Sequence, residues 1–506
     1  GLGVGVGWQD ASGKATAPAM IRKRYLFMVT TTLFQLVVYY QGGGTPSRNV
    51  SKEGSSGGLG VRTMDWREEY KRKLVTAEEA VKAIKPGDRV AFINLGMGLK
   101  VLPPALVARA RAGELWDVEV LMCGPHEDFG WLEPDCRGAF TVAIETYMGG
   151  ALRHLKDERR ADFVPVLYSL RFKAEDERPG EARATDVFMT AVSPPDDNGF
   201  CSFGQILFNK KLYAQRAKTV LAEVDRNQIR TCGDNFIHVS EIDYFVEHTP
   251  PEREVQPLPP IEDSFPGLAE HIATLVKDGD TIQTGAAPLV GPLLSLGMFD
   301  QKHDLGFHTE IIPWGVVKLV REGVITGRRK TLHPGKVVAT TFATYPNEEE
   351  LRYLDNNPLF ELYGVNYVNN IKIIAAHDNM VAINSALSMD LTGQVTVETI
   401  FGQRLWNGPG GFPDFLIGAA LSKGGRSILA FPSTAMGGKV SRIVPLLDEG
   451  SAVTAPRTFT DYVVTEYGIA RLWGKSFRQR AEELIAIAHP DFRSELKKQA
   501  QKLFYP

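Results

Sequence analysis

The chain has 506 residues, 43% of them hydrophobic, and a formal net charge of -3 with acids and bases interspersed. Such a length and composition allow two or three domains with cores of their own and exclude a disordered or fibrous chain. No long Lys/Arg run is present to suggest nucleic acid or a membrane surface, so the expected partners are small molecules and a second copy of the chain, as a dimer.

Residues 1–63 stand apart. Ile21-Arg22-Lys23-Arg24-Tyr25 precedes an apolar run over 26–40 and then Gly42-Gly43-Gly44, a pattern like a signal peptide but too short and Thr-rich to span a bilayer comfortably. Gly/Ser-rich flanks at 1–7 and 54–60 read as unstructured. Helix-forming sequence begins only with Asp65-Trp66-Arg67, so 1–63 is expected to be a non-native or disordered extension and Met64 the natural start.

From Thr76 onward the chain alternates helix-like and strand-like segments. A helix is expected over 77–84, then the turn Lys85-Pro86-Gly87-Asp88, a strand over 90–93, Gly96-Met97-Gly98, and a helix after Pro103-Pro104. The same order returns: a helix over 269–276, Lys277-Asp278-Gly279-Asp280, a strand over 281–284, Gly285-Ala286-Ala287-Pro288, and a helix reaching Leu294. Lys85, Gly87 and Asp88 match Lys277, Gly279 and Asp280 at a constant offset of 192 residues, which indicates duplication of a whole domain. The expected fold is therefore α/β, with two similar duplicated domains, largely parallel sheets and an active site between them. The first domain is placed at 64–248, a Pro-rich linker at 249–266, and the second domain at 267–506.

Within the first half, a strand over 187–192 runs into the turn-rich 193–204, read as a loop at a sheet edge. Cys123, His126, Glu127, Asp128 and Cys136 cluster, but their spacing matches no zinc pattern, and no metal is expected. The four cysteines, Cys123, Cys136, Cys201 and Cys232, include no C-x-x-C pair. They argue against a disulfide framework and for a reducing compartment, the cytoplasm or, in a eukaryote, the mitochondrial matrix.

The second half carries the residue around which the chemistry is arranged. In Leu305-Gly306-Phe307-His308-Thr309-Glu310-Ile311-Ile312 the alternation predicts a strand, which Pro313 and Gly315 then end. Glu310 thus sits near the C-terminal end of a strand, where open α/β sheets bind ligands. A carboxylate with apolar neighbours there suits a nucleophile or base, and equally a strand-end partner for a Lys or Arg. Further on, Asn407-Gly408-Pro409-Gly410-Gly411 feeds a small-residue helix over 416–421, and such a loop offers free backbone N–H groups to a phosphate or oxyanion. His489 before Pro490 reads as a helix-end histidine bonded to backbone. No phosphate loop, dinucleotide fingerprint, G-x-S-x-G or H-E-x-x-H is present.

The strings His308-Thr309-Glu310, Asn384-Ser385-Ala386, Asp390-Leu391-Thr392-Gly393-Gln394, Gly408-Pro409-Gly410-Gly411 with Asp414-Phe415, Ser422-Lys423-Gly424-Gly425, Ser441-Arg442-Ile443-Val444-Pro445, Val464-Thr465-Glu466-Tyr467-Gly468 and His489-Pro490-Asp491 occur in a familiar order. From Met64 to its end, the chain resembles the acetyl-CoA hydrolase/transferase family, in the branch similar to 4-hydroxybutyrate CoA-transferase. The resemblance implies a glutamate that carries CoA as a γ-glutamyl thioester, at Glu310. It also implies oxyanion donors at the backbone N–H groups of Ala286 and Gly411, and an asparagine at Asn369, beside Asn370, that holds the acyl or carboxylate group. Its CoA contacts fall on Ile282, Gln283, Thr284, Gly285, Ala286, Asn407, Gly411 and Lys423.

The activity so implied moves CoA from an acyl-CoA, such as acetyl-CoA or butyryl-CoA, to a short acid such as 4-hydroxybutyrate, butyrate or acetate. CoA is then substrate and covalent intermediate, with no tightly bound cofactor. The alternatives are an acyl-CoA hydrolase on the same site and, from the N-terminal apolar run, a membrane-tethered CoA-binding protein. Ala287, Pro313-Trp314 and Phe412-Pro413 depart from residues common in the family and imply a bulkier or more apolar mouth near Glu310.

Overall fold

The computed structural model describes residues 65–505 except 94–97, 125–126, 137, 146–152, 179, 252–259, 286–288 and 343–346. The extension over 1–63, most of the Pro-rich linker, His126 and the expected donor at Ala286 thus lie outside the described residues.

Two sheets organise the chain. In the first, seven parallel strands run in the order Tyr244–Glu247, Thr219–Val224, Val187–Val192, Arg89–Ile93, Val118–Cys123, Phe140–Glu145, Asp162–Val164. The second has nine, in the order Gly468–Arg471, Tyr462–Thr465, Arg426–Ala430, Met380–Asn384, Thr281–Thr284, Gly306–His308, Val337–Ala339, Phe360–Leu362, Cys232–Gly233. All of its neighbours are parallel except the first pair. In the first sheet the chain starts at the central strand Arg89–Ile93, moves outward one way, then returns and moves outward the other way; in the second it does the same from Thr281–Thr284, the edge strand Cys232–Gly233 having been laid down earlier by the first half, so each has a switch point beside a central strand. Strands such as Val187–Val192 are buried at every position, as a parallel sheet covered on both faces requires.

The repeated turn is duplicated to the hydrogen bond. Lys85 N–H donates to the Asp88 carboxylate at 2.8 Å and Lys277 N–H to that of Asp280 at 2.6 Å. Gly87 and Gly279 take φ of 85° and 82°, a region where a side chain is strained. Their N–H groups bond the carbonyls of Asp117 and His303, each at 3.0 Å.

Local departures have local causes. The first predicted helix divides into Ala77–Ala80 and a 3-10 turn, Val81–Ala83, and Ile84 is already extended. The loop expected over 193–204 contains the strand Phe200–Ser202, paired antiparallel with Phe236–His238. The strand expected to run to Ile312 stops at His308, and Ile311–Ile312 leaves the sheet to pair with Thr341–Phe342. Thr309 and Thr340 satisfy the interrupted backbone: Thr309 Oγ1 donates to Thr284 O at 3.0 Å, and Glu310 O accepts from Thr340 N at 3.0 Å and Thr340 Oγ1 at 2.7 Å.

The halves share packing. One continuous apolar cluster includes Phe203, Leu207 and Phe208 from the first half with Leu354, Phe360 and Val381 from the second. The strand Cys232–Gly233 completes the edge of the second sheet.

Candidate active site

Glu310 stands at the break between Gly306–His308 and Ile311–Ile312, past the end of its sheet strand. Its backbone is fixed by Thr340, whose own carbonyl accepts N–H bonds from Leu207 and Phe208, both at 3.1 Å. The carboxylate is therefore held by a chain of contacts running back into the first half.

Two donors converge on that carboxylate. Asn369 Nδ2 donates to Glu310 Oε2 at 2.8 Å, and the Gly411 backbone N–H lies close enough to the carboxyl group to favour its charged form. Asn369 follows the short helix Val365–Val368 and is fully buried. Its neighbour Asn370 instead caps the next helix, Ile371–Ala375, accepting from Lys372 N at 3.0 Å, so Asn369 is the asparagine that faces Glu310. Gly411 is the N-cap of the helix Phe412–Leu421, with φ of -81°. A Cβ there would lie 1.9 Å from Glu310 Oε2 and 2.3 Å from Asn369 Nδ2, so this glycine is required by close approach and not by backbone conformation.

Burial pushes the Glu310 carboxyl up to about 7. The Asn369 and Gly411 N–H groups act the other way, while the nearby Asp414 charge adds to the rise. Asp414 lies in the first turn of the helix behind Gly411, fully buried, and is itself pushed up to about 6 by burial. It accepts from Ser169 Oγ at 2.7 Å and lies close enough to the Asn369 side chain for that amide to favour its charged form. His308, also fully buried, gives Nε2 to the Val368 carbonyl at 2.8 Å and is held neutral by desolvation.

The remaining expected residues divide by location. Ile282 belongs to the core cluster, and Gln283 forms a reciprocal amide pair with Asn384 at 3.2 and 3.0 Å. Thr284 is buried, and its carbonyl receives Thr309 Oγ1. These three side chains face inward, and the strand turns toward the surface only at half-buried Gly285. Asn407 is half-buried beside Trp406, which Arg153 of the first half stacks upon with 3.8 Å between guanidinium and ring. Arg153 Nε also bonds the Trp406 carbonyl at 3.0 Å, steadying the start of the glycine loop. Lys423 follows the far end of the helix Phe412–Leu421, its side chain 86% exposed and paired with Asp378. Helical rise places it about 18 Å from Gly411. Trp314 packs toward Gly291, and His489 caps the helix Pro490–Phe504 by accepting from Asp491 N at 3.3 Å.

Sequence reasoning did not assign Asp414, Ser169 or Thr340 to the site. The available signal was a carboxylate in the first turn of a glycine-fed helix; the contacts with Ser169 and Thr340 join segments far apart in the chain.

A carboxylate with a near-neutral pKa, backed by an amide and a backbone N–H, is arranged for nucleophilic attack followed by stabilisation of an oxyanion on its own carbonyl. Comparison with known proteins gives the family. The acetyl-CoA hydrolase/transferase N-terminal domain matches residues 60–256 and the C-terminal domain residues 347–500. The chain is 43% identical over 443 residues to 4-hydroxybutyrate coenzyme A transferase of Clostridium kluyveri, covering 87% of this chain and 100% of that protein. It is 34% identical over 465 residues to butyryl-CoA:acetate CoA-transferase of Anaerostipes caccae, covering 87% and 98%. The crystal structure of RipA from Yersinia pestis superposes with a TM-score of 0.79 at 34% identity, over 88% of this chain and 100% of that one. With both of its domains matched and full-length relatives above 30% identity, the chain belongs to the acetyl-CoA hydrolase/transferase family.

Proposed function

We propose that this chain is a CoA-transferase that moves CoA from an acyl-CoA to a short carboxylic acid through a thioester on Glu310. The observation that carries the reading is the half-buried Glu310 carboxylate at the strand end, with Asn369 Nδ2 donating to it at 2.8 Å and the Gly411 N–H beside it; burial pushes its pKa up to about 7. A mere ion-pair carboxylate would be held below its ordinary value by a cation, whereas this one is raised by burial and by a second carboxylate. The relatives named as CoA-transferases support the same reaction class.

The steps use few groups. Glu310 adds to the thioester carbonyl, the C–S bond breaks, and an acyl-glutamyl anhydride forms with CoA thiolate released. The thiolate adds to the Glu310 carbonyl, the donor acid leaves as carboxylate, and CoA remains on Glu310 as a thioester. An incoming acid attacks that thioester to form a second anhydride. The thiolate then attacks the acceptor carbonyl, giving the new acyl-CoA and free Glu310. When thiolate or acid adds to the glutamyl carbonyl, the oxyanion falls where Asn369 Nδ2 and Gly411 N–H already converge. Ala286 is assigned the backbone donor for the substrate's own carbonyl. Thioester energy is conserved through the cycle, so neither ATP nor a metal is required by the chemistry.

Lys423, one helix length from Gly411, suits the phosphate end of CoA, with the pantetheine arm lying along the helix toward Glu310 and past Gly285 and Asn407. Among the described residues no helix is long and apolar enough to cross a membrane.

The test is turnover of butyryl-CoA or acetyl-CoA with and without a second acid, following free CoA and new acyl-CoA. A transferase forms new acyl-CoA in step with the acid consumed, shows parallel double-reciprocal lines and releases little free CoA. Release of free CoA at an undiminished rate without any acid would assign the site to hydrolysis instead.

A further inference from the structure

We infer that Asp414 and Ser169 form a positioning pair that aims the Asn369 carboxamide at Glu310 throughout the reaction. This inference rests on the proposed reaction at Glu310 and adds residues to which the transferase reading gave no role. An asparagine amide is nearly symmetric in shape, so sterics alone do not decide which end faces Glu310. Among the described residues Asn369 Oδ1 is buried with no hydrogen-bond partner, and none of them holds the amide from that side. The orientation comes from the nitrogen, which donates to Glu310 at 2.8 Å and lies beside the Asp414 carboxyl group, close enough to act against its raised pKa.

The reaction makes the second of these partners necessary. While Glu310 is a free carboxylate it holds the amide nitrogen by charge. Once it becomes an anhydride or thioester that charge is gone, at the stage when Asn369 must face the growing oxyanion. Asp414 is then the remaining carboxylate on that nitrogen. Asp414 is in turn fixed by Ser169, whose hydroxyl donates at 2.7 Å and whose backbone N–H lies at 3.5 Å. Ser169 sits in the 3-10 turn Tyr168–Leu170 of the first half, 245 residues from Asp414 in sequence. One half of the molecule thereby sets the hydrogen-bond geometry in the other.

The pair also acts on Glu310 by charge. The groups facing Glu310 are Asp414 from the helix Phe412–Leu421, the Gly411 N–H at its cap, and Asn369 after Val365–Val368. His308, from its own strand, is neutral and engaged with Val368. Arg171, two residues from Ser169, is committed to Glu145 and Glu175. Replacing Asp414 by a neutral group removes a like charge, so Glu310 then ionises at lower pH.

The experiment compares Asp414→Asn, Ser169→Ala and Ser169→Thr in the full chain. It measures thermal unfolding, kcat for exchange with acetate, the pH profile of kcat/KM, and the pH dependence of carbodiimide labelling at Glu310. Asp414→Asn is expected to lower kcat about a hundredfold, the scale of a misaligned catalytic group, and to move the acid limb and the labelling midpoint to lower pH. Ser169→Ala is expected to lower kcat about fivefold, one hydrogen bond's worth, and Ser169→Thr to restore it. A folded Asp414→Asn enzyme with both midpoints unmoved and kcat within about threefold of normal would overturn the inference. If Asp414→Asn does not fold, an unaltered rate in Ser169→Ala overturns it. Labelling reports the Glu310 titration without turnover, so a wild-type protein that exchanges no CoA would count against the transferase reading while the labelling shift still judges the pair.

Discussion

Gly411 shows how little room the site leaves. Its φ of -81° suits alanine, yet an added methyl would land 1.9 Å from the Glu310 oxygen. Gly411→Ala should therefore fold normally and still displace the carboxylate from Asn369. We expect kcat to fall about a hundred- to a thousandfold with the melting temperature little changed; a near-normal rate would place the donor elsewhere. The Glu310 pKa of about 7 makes a second prediction, since the nucleophile must be ionised. kcat/KM should rise with pH and level off above an apparent pKa near 7; a limb near 4.5 would mean the free carboxylate is not desolvated. The same shift is a stability cost. Between its unfolded value near 4.5 and its folded value near 7 the native state binds more protons than the unfolded chain, so stability falls as pH rises through that window. Glu310→Gln should accordingly melt higher than wild type at pH 8 and gain nothing at pH 4, as scanning calorimetry at the two pH values would show.

At the scale of elements, the duplication explains why the proposed chemistry sits in one half. Glu223 is buried on the strand Thr219–Val224 and takes the N–H groups of Lys100, Val101 and Leu102 at 2.8, 2.9 and 2.7 Å. The first half thus closes its own loop-to-helix donors with an internal carboxylate. Glu223→Ala should leave those donors unsatisfied and cost about 2 to 3 kcal/mol, measurable by denaturant unfolding; a neutral effect would mean water replaces the carboxylate freely. Much at this scale was legible in sequence. The turns at Lys85 and Lys277 announced the repeat because glycine at positive φ and an Asp bonding back to the turn leave local signatures. Strand Val187–Val192 fell at the residues its apolar run predicts, and Thr281–Thr284 where the repeat of the first half places it. The break after His308 was not legible, since Thr309 and Thr340 make it by hydrogen bonds to backbone that no alternation of apolar residues encodes. Asp414 and Ser169 escaped for a stronger reason: a contact between residues so far apart exists only once both halves are folded.

At the scale of the molecule, the first half supports the second at several points: Leu207 and Phe208 under Thr340, Arg153 on Trp406, and Cys232–Gly233 on the sheet edge. A fragment over 267–506 would expose the apolar residues that pack on Phe203, Leu207 and Phe208. Expressed alone it should be insoluble or bind a hydrophobic dye, whereas a chain beginning at Met64 should fold and be active. A monomeric, cooperatively melting 267–506 fragment would show that the shared core is dispensable. The first of these supports leads through Thr340 to Glu310, and the account stands on that carboxylate becoming a thioester. The most direct measurement is mass spectrometry of the enzyme after incubation with acyl-CoA alone, followed by borohydride reduction and digestion. The account predicts one CoA bound per active site before reduction, and afterwards the alcohol derived from Glu310 in its peptide, with Glu310→Gln giving neither. An unmodified Glu310 peptide from enzyme that is turning over, or a Glu310→Gln protein exchanging CoA at about a tenth of the normal rate, would contradict it, since losing the nucleophile should cost far more than 1.4 kcal/mol.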